Sequence, residues 1–227
     1  MLLSVVIPIF NEEQTIGDVI KRVKAALQKI GFKNEIIVVD DCSEDRSVEI
    51  SKSQNVKVYS LKKHMGKGYA LRAGFVKAKG EIIVTIDSDG SHRPEELPLL
   101  LTLVLQDQAD LVIGSRFLRE APASAKKLNV VGVRLFNGLI KIFTGTGVSD
   151  SQSGYRAMKS EIVRNLRLTS GGYEIESEML VKIAKKGFRV KEVPISFEQR
   201  TYGRSRLDPV VDGFRILLSI VLAYLKS

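Results

Sequence analysis

The sequence predicts an α/β fold with a mainly parallel central sheet and helices on both faces. Three observations carry this. Short apolar, β-branched runs recur along the first half of the chain, as strands buried on both faces require. Between them, apolar residues repeat at helical spacing. The runs end in polar or acidic residues, and open parallel sheets bind ligands beyond the carboxyl ends of their strands. With 227 residues, 44% hydrophobic and 27% charged, the chain suits a folded domain with a large core and not a disordered one.

The elements follow in order. Leu3–Ile9 (LSVVIPI) is the first expected strand. The segment NEEQTIGDVIKRVKAALQKI sets Ile16, Val19, Ile20, Val23 and Leu27 on one helical face, and Gly31 ends it. Glu35–Asp41 is the second strand, and SEDRSVEISKSQ a short helix opened by a Ser/Glu/Asp cap. Val56–Leu61 is the third strand, Gly66–Lys79 a helix, and Glu81–Asp87 the fourth strand. Pro94 opens the next helix, and Asp110–Ser115 forms the fifth strand. From 116 to 150 a basic, amphipathic segment breaks the rhythm. With no repeat and no long linker, one domain is expected over 1–227, in two halves that meet near 115.

The formal net charge of +9 is uneven. Residues 1–110 hold 15 basic and 16 acidic side chains, whereas residues 111–227 hold 20 and 10. So basic a half suits nucleic acid, phosphate or an anionic membrane. Cys42 is the sole cysteine, which excludes an intramolecular disulfide framework and fits a reducing compartment. The opening MLLSVVIPIF lacks the basic region and cleavage site of a signal peptide, and Ile216–Leu225 is too short to span a bilayer.

Several clusters can carry chemistry. Asp87 and Asp89 form an Asp-x-Asp after an apolar strand, and hard oxygens with open positions suit Mg²⁺ or Mn²⁺ carrying a phosphate substrate. The same residues also read as an acidic turn capping the helix at Pro94. Asp40 and Asp41 end the second strand, where a carboxylate can accept from a base or ribose or simply favour a helix start. HMGKGYALRAG satisfies neither the dinucleotide fingerprint nor the phosphate-binding loop. Lys67 and Arg72 can approach a phosphate there, but a Gly-rich helix start is the simpler reading. Locally, VSDSQSGYRAMKSE reads as a loop, and Glu174, Glu176 and Glu178 as dipole partners or solvated acids. Arg200, Arg204 and Arg206 around Gly203 suit a diphosphate or are solvated charge. His64 and His92 lack the partners of a hydrolase triad.

Taken in order, SVVIPIFNEE, VVDDCSEDRS, GKGYALRAGF, DSDGSHRPEE, GSRF and SQSGYRAM resemble the family-two glycosyltransferases with a GT-A fold. Within these, the sequence is most similar to the polyprenyl-phosphate (dolichyl-phosphate) sugar synthases of the mannosyltransferase type. The resemblance covers nearly the whole chain. It implies transfer of a hexose, with inversion, from a nucleotide-diphosphate sugar to a polyprenyl phosphate, a step in protein glycosylation. Pro8, Phe10 and Glu12 would line the nucleotide pocket, and Val39 and Asp41 would contact the base. Asp87, Asp89 and Ser91 would hold Mg²⁺ or Mn²⁺, with Asp89 catalytic. Arg116, also catalytic, and Arg200 would meet phosphates. Asp150, also catalytic, Gln152 and Ser153 would shape the sugar and acceptor end, and Lys67 stays a substrate-binding candidate on its local reading. If the acceptor is a hydroxyl, Asp150 is the candidate base.

Three positions depart from the family pattern. Ser91 stands where Gln is frequent, Phe10 where Tyr is frequent, and Asn129 and Val130 replace a basic pair, leaving lipid phosphate to Lys126, Lys127 or Arg134. The segment KKLNVVGVRLFNGLIKIF combines Leu128, Val131, Leu135, Leu139 and Ile142 with Lys126, Lys127, Arg134 and Lys141. Such a helix can lie on anionic lipid or pack on the core. A peripheral enzyme on the cytoplasmic face of a membrane is therefore expected. Two rivals remain: a transferase acting on a glycan hydroxyl, and a nucleic-acid binder, for which no recognisable motif is present.

Overall fold

The structure, a computed structural model, describes residues 1–118, 127–198, 200, 202 and 207–226, with 127–129 described by backbone alone. Seven strands form one sheet: β1 Leu2–Ile9, β2 Lys33–Asp40, β3 Lys57–Ser60, β4 Ile82–Thr85, β5 Leu111–Ser115, β6 Arg156–Lys159 and β7 Val190–Pro194. Their spatial order is β3-β2-β1-β4-β6-β5-β7. The helices are α1 Ile16–Ile30, α2 Ser47–Ser53, α3 Lys67–Lys77, α4 Leu97–Leu105, α5 Lys127–Thr144, α6 Ser160–Arg164, α7 Ile175–Lys185 and α8 Val211–Lys226. Pro94–Glu96 form a 3-10 turn ahead of α4.

The five expected strands are present, and alternation along them builds a core on each side of the sheet. Val6, Ile37, Val39 and Ile83 face α3, α5, α7 and α8, while Leu3, Val5, Ile7, Val38 and Val84 face α1 and α4. The predicted face of α1 is the buried one, and Gly31, at φ 77°, stops the helix with its N–H on the Leu27 carbonyl. Pro8 sits in a central strand at no hydrogen-bonding cost. Even-numbered β1 residues face β4, as the bond from Ile86 N–H to Val6 O shows, and β4 has ended by position 8.

The strand β6 was not apparent from the sequence. It runs antiparallel to both β4 and β5 and separates them. Because β6 is reversed, the residues before it, 149–155, reach the sheet edge where the parallel strands end. The outer helices also refine the amphipathic reading. Helix α5 buries Val133, Phe136 and Ile140, whereas Val131, Leu135 and Ile142 of the expected stripe are exposed and Leu139 is half-buried. Helix α8 buries Ile216, Ile220 and Ala223 and leaves Phe214, Leu218, Leu222 and Leu225 in solvent. The two helices meet through the stacked rings of Phe143 and Tyr224, 4.8 Å apart. Among the described residues, no helix is long and apolar enough to cross a membrane.

Candidate active site

The carboxyl ends of β1, β2 and β4 and the loop before β6 bring most of the expected residues together. After β4, Asp87 Oδ1 lies 2.6 Å from Lys67 Nζ, which is also 2.8 Å from Glu176 Oε1 on α7. Lys67 therefore bridges two carboxylates here. Burial pushes its ammonium pKa down, but the charges of Asp87 and Glu176 outweigh that and hold it well above the ordinary lysine value. For Asp87, burial pushes the carboxyl up, and Lys67 and His92 more than reverse this, holding it well below the usual range. His92 Nε2 approaches Asp87 Oδ2 at 3.5 Å.

Glycines make this arrangement possible. A Cβ on Gly154 would stand 2.6 Å from both Asp87 carboxylate oxygens. Gly66, at φ 105°, and Gly68 press onto the 170–172 loop, and Gly68 N–H donates to Gly171 O at 2.8 Å. The Gly-rich segment is thus a docking joint that fixes Lys67, in line with the simpler reading of that motif. Arg72 donates to the Thr169 carbonyl and lies over the Tyr69 ring.

Asp89 turns Oδ1 back onto Ser91, accepting from its N–H at 3.0 Å and its hydroxyl at 2.6 Å. Oδ2 has no hydrogen-bond partner among the described residues. Ser91, the third expected metal ligand, is buried and donates its hydroxyl proton to Asp89. No group of three or more His, Cys, Asp or Glu side chains suited to a metal ion occurs among the described residues. The donor set is two carboxylates, and it fits a hard divalent ion whose other ligands are substrate phosphate and water.

Asp150, fully buried, is locked onto Arg116. Its carboxylate accepts from Arg116 Nε at 2.6 Å, Nη2 at 2.7 Å and the backbone N–H at 3.1 Å. Both oxygens of Asp150, the candidate base, are thus engaged by Arg116 in this structure. The Arg116 guanidinium also lies 5.2 Å from the Phe197 ring, and Asp87 and Asp89 add to its field. Loop 149–151 is clamped from two sides. Glu192 of β7 accepts from Ser149 and Asp150 N–H, while Asn137 of α5 donates to Ser149 O at 2.7 Å and accepts from Ser151 N–H at 3.1 Å. Burial pushes the Glu192 carboxyl pKa up despite these bonds. Gln152 is anchored to Ser177, and the Ser153 carbonyl accepts from Arg156.

At the nucleotide end, Phe10 stacks on His64 with ring centroids 4.0 Å apart. His64 Nδ1 lies 2.8 Å from Asp41 Oδ2, and the Asp41 oxygens accept from the N–H groups of Met65 and Gly66. Asp41, buried, thus shapes the 64–66 loop, and its carboxylate is already committed there. The Val39 side chain is fully buried beneath Gly74 of α3, which leaves its backbone for the expected contact with a base. Pro8 is buried in β1 beside it, at the register position opposite Val39. Glu12 forms an ion pair with Arg200. Lys126, Gly203, Arg204 and Arg206 lie outside the described residues, as does the side chain of Lys127; Arg134 is exposed.

Sequence reasoning did not single out Asn137 and Glu192, and it named Glu176 and His64 without a role in the site; the contacts of all four arrive through tertiary structure. Of the two readings of the α7 acids, the helix-start one stands for Glu176 and Glu178, which lie in the first turn, and the solvated one is corrected. Glu176 and Glu178 are buried, Glu178 capping Thr169 and Ser170 and pairing with Lys182.

The reversed strand β6 in an otherwise mostly parallel sheet thus brings paired carboxylates and arginines to one edge. Residues 4–167 match the profile described as glycosyl transferase family 2. The chain belongs to that family and is a glycosyltransferase. It is 34% identical to a dolichol-phosphate mannosyltransferase of Pyrococcus furiosus over 91% of this chain, and spans 59% of that longer protein. It is 32% identical to a dolichyl-phosphate hexose transferase of Haloferax volcanii, over 99% of this chain and 95% of the relative. Among solved structures, glucosyl-3-phosphoglycerate synthase of Mycobacterium tuberculosis, with Mn²⁺, UDP and phosphoglyceric acid, superposes with a TM-score of 0.80 at 21% identity. The match covers 98% of this chain and 78% of that one, and it shows the GT-A fold.

Proposed function

We infer that the chain moves a hexose from a nucleotide-diphosphate sugar to a polyprenyl phosphate such as dolichyl phosphate, inverting the anomeric carbon. The donor is GDP-mannose, UDP-glucose or UDP-N-acetylglucosamine, and the work is done on the cytoplasmic face of a membrane to which the enzyme binds peripherally. The observation that carries this reading is a phosphate-type arginine, Arg116, whose loop is tied to a helix with an exposed apolar strip. Exposed Val131, Leu135 and Ile142 on α5 and Phe214, Leu218, Leu222 and Leu225 on α8 suit the acyl region of a lipid surface. Helix α5 has no acidic residue, and Arg134, Lys141, Arg215 and Lys226 add the positive charge that anionic headgroups favour.

The residues divide the work as follows. Arg116, preset by Asp150, offers guanidinium donors to phosphate oxygens. Arg200 can do the same once phosphate draws it from Glu12. A divalent ion would be held by Asp87 and Asp89 and would supply positive charge for the departing diphosphate. A phosphate monoester has a second pKa of about 6 and is largely dianionic at neutral pH, so it needs no base. This agrees with Asp150 being held by Arg116.

The test is transfer from each nucleotide sugar, with Mg²⁺ or Mn²⁺, to polyprenyl phosphate in vesicles, against phosphoglycerate and a soluble glycan. Product on the lipid phosphate alone is expected. Transfer only to either soluble acceptor overturns the lipid assignment.

A further inference from the structure

We propose that Lys67 is a resident counter-cation of the Asp87 carboxylate, with Glu176 as the seat onto which it withdraws when a divalent ion engages Asp87. The inference rests on metal use by this site but not on the identity of donor or acceptor.

Three observations support it. First, Lys67 Nζ is shared almost evenly, 2.6 Å from Asp87 and 2.8 Å from Glu176, so release from one does not leave it unpaired. Second, Glu176 is buried and neither carboxylate oxygen has a hydrogen-bond partner, Lys67 being its one ion-pair partner among the described residues. A carboxylate so placed, without the donors that ordinarily satisfy a buried one, suits a cation that can move fully onto it. Third, one carboxylate of the Asp-x-Asp pair is left for an incoming cation. Arg116 is ion-paired with Asp150, and Arg200 with Glu12. Asp87 and Glu176 share the Lys67 ammonium, with the His92 ring 3.5 Å from Asp87 and the buried Arg156 guanidinium adding positive charge toward Glu176, whereas Asp89 has no ion-pair partner among the described residues. The backbone of Lys67 is pinned by the Gly66 and Gly68 contacts, so the exchange needs only side-chain rotation.

The proposal makes opposite predictions for two isosteric changes. Lys67→Met removes the competing cation and deepens the local negative charge, so Mn²⁺ binds tighter. Glu176→Gln removes the seat, holds the ammonium on Asp87, and weakens Mn²⁺ binding. The double variant Lys67→Met/Glu176→Gln returns close to the wild type and retains no buried unpaired charge at either position, which guards against misfolding of the single Lys67 variant.

The measurement is Mn²⁺ binding by electron paramagnetic resonance, with Mn²⁺ alone and with UDP or GDP added, on proteins whose thermal melts confirm folding. Shifts of about tenfold in opposite directions are expected. Shifts in the same direction, or none, overturn the exchange while leaving metal use intact. Absence of Mn²⁺ binding to the wild type with either nucleotide overturns metal use itself, and the exchange with it.

Discussion

Replacing Asp150 with Asn separates a positioning role from a base. The substitution keeps volume and shape but puts an amide where two oxygens accept the Arg116 side chain at 2.6 and 2.7 Å. Breaking one side of a buried ion pair costs about 3–5 kcal/mol. Asp150 is fully buried, but the Arg116 side chain is 20% exposed, so water can take part of the load. We therefore expect a loss of about 2–4 kcal/mol, set against a domain stability of about 5–15 kcal/mol. For a chain of this size that is a melting temperature lower by about 4–16 °C. Urea unfolding followed by circular dichroism gives the free energy directly. In parallel, Asp150→Asn and Arg116→Ala should lower kcat/KM by similar factors, and the double variant should be no worse than the more damaged single one, as expected of residues acting as a unit. Unchanged stability, together with additive losses of activity, would refute the positioning role and return Asp150 to direct chemistry.

Three further outcomes are expected. Gly154→Ala puts a methyl group where the Asp87 oxygens stand, so Mn²⁺ affinity and transfer should fall while urea stability changes by no more than about 1–3 kcal/mol; intact Mn²⁺ binding contradicts this. Hydrogen bonds from Arg189 hold the Asp110 carboxyl well below its ordinary pKa. Its contribution is therefore present above the unfolded carboxyl value and lost as pH falls below about 4, so Asp110→Asn should be less stable at pH 7 and show a shallower acid limb. Phe214→Ser with Leu218→Ser removes exposed apolar surface worth about 2–3 kcal/mol, so partition onto anionic vesicles should drop about 30- to 150-fold. Equal cosedimentation with the wild type argues against α8 as a lipid-facing element.

What the sequence made legible follows from physical differences among the elements. β1, β2, β4 and β5 are continuous apolar runs, and α1 shows its buried face as a plain helical repeat. β6 gave no such signal because its four residues are Arg-Ala-Met-Lys. Arg156 is wholly buried there, and its guanidinium donates to the carbonyls of Ser151, Ser153 and Glu176. An arginine satisfied by three backbone carbonyls is core structure, but its residue type reads as surface. Asp87 and Asp89 were legible because a strand delivers them to its carboxyl end. Glu176 was not, since its burial depends on α7 meeting α3 across the sheet edge, and the spacing of acids in a helix start does not encode that. Asp150 was placed in the region of the site, but its pairing with Arg116 was not legible, because that partner lies 34 residues away.

The place of β6 in the sheet has a consequence for how the chain is assembled. β5 pairs with β6 and β7 and has no bond to β4, so residues 1–115 are not a separable unit. During synthesis the edge of β4 waits for β6, which emerges about 70 residues later. At about 5–20 residues per second that is a delay of several seconds with a bare apolar edge and an unattached fifth strand. A break after Ser115 would leave both fragments without a finished sheet. Pairing of Arg156 with Thr85 is thus the event that joins the two ends of the catalytic edge, and the site exists only after the second half has been made.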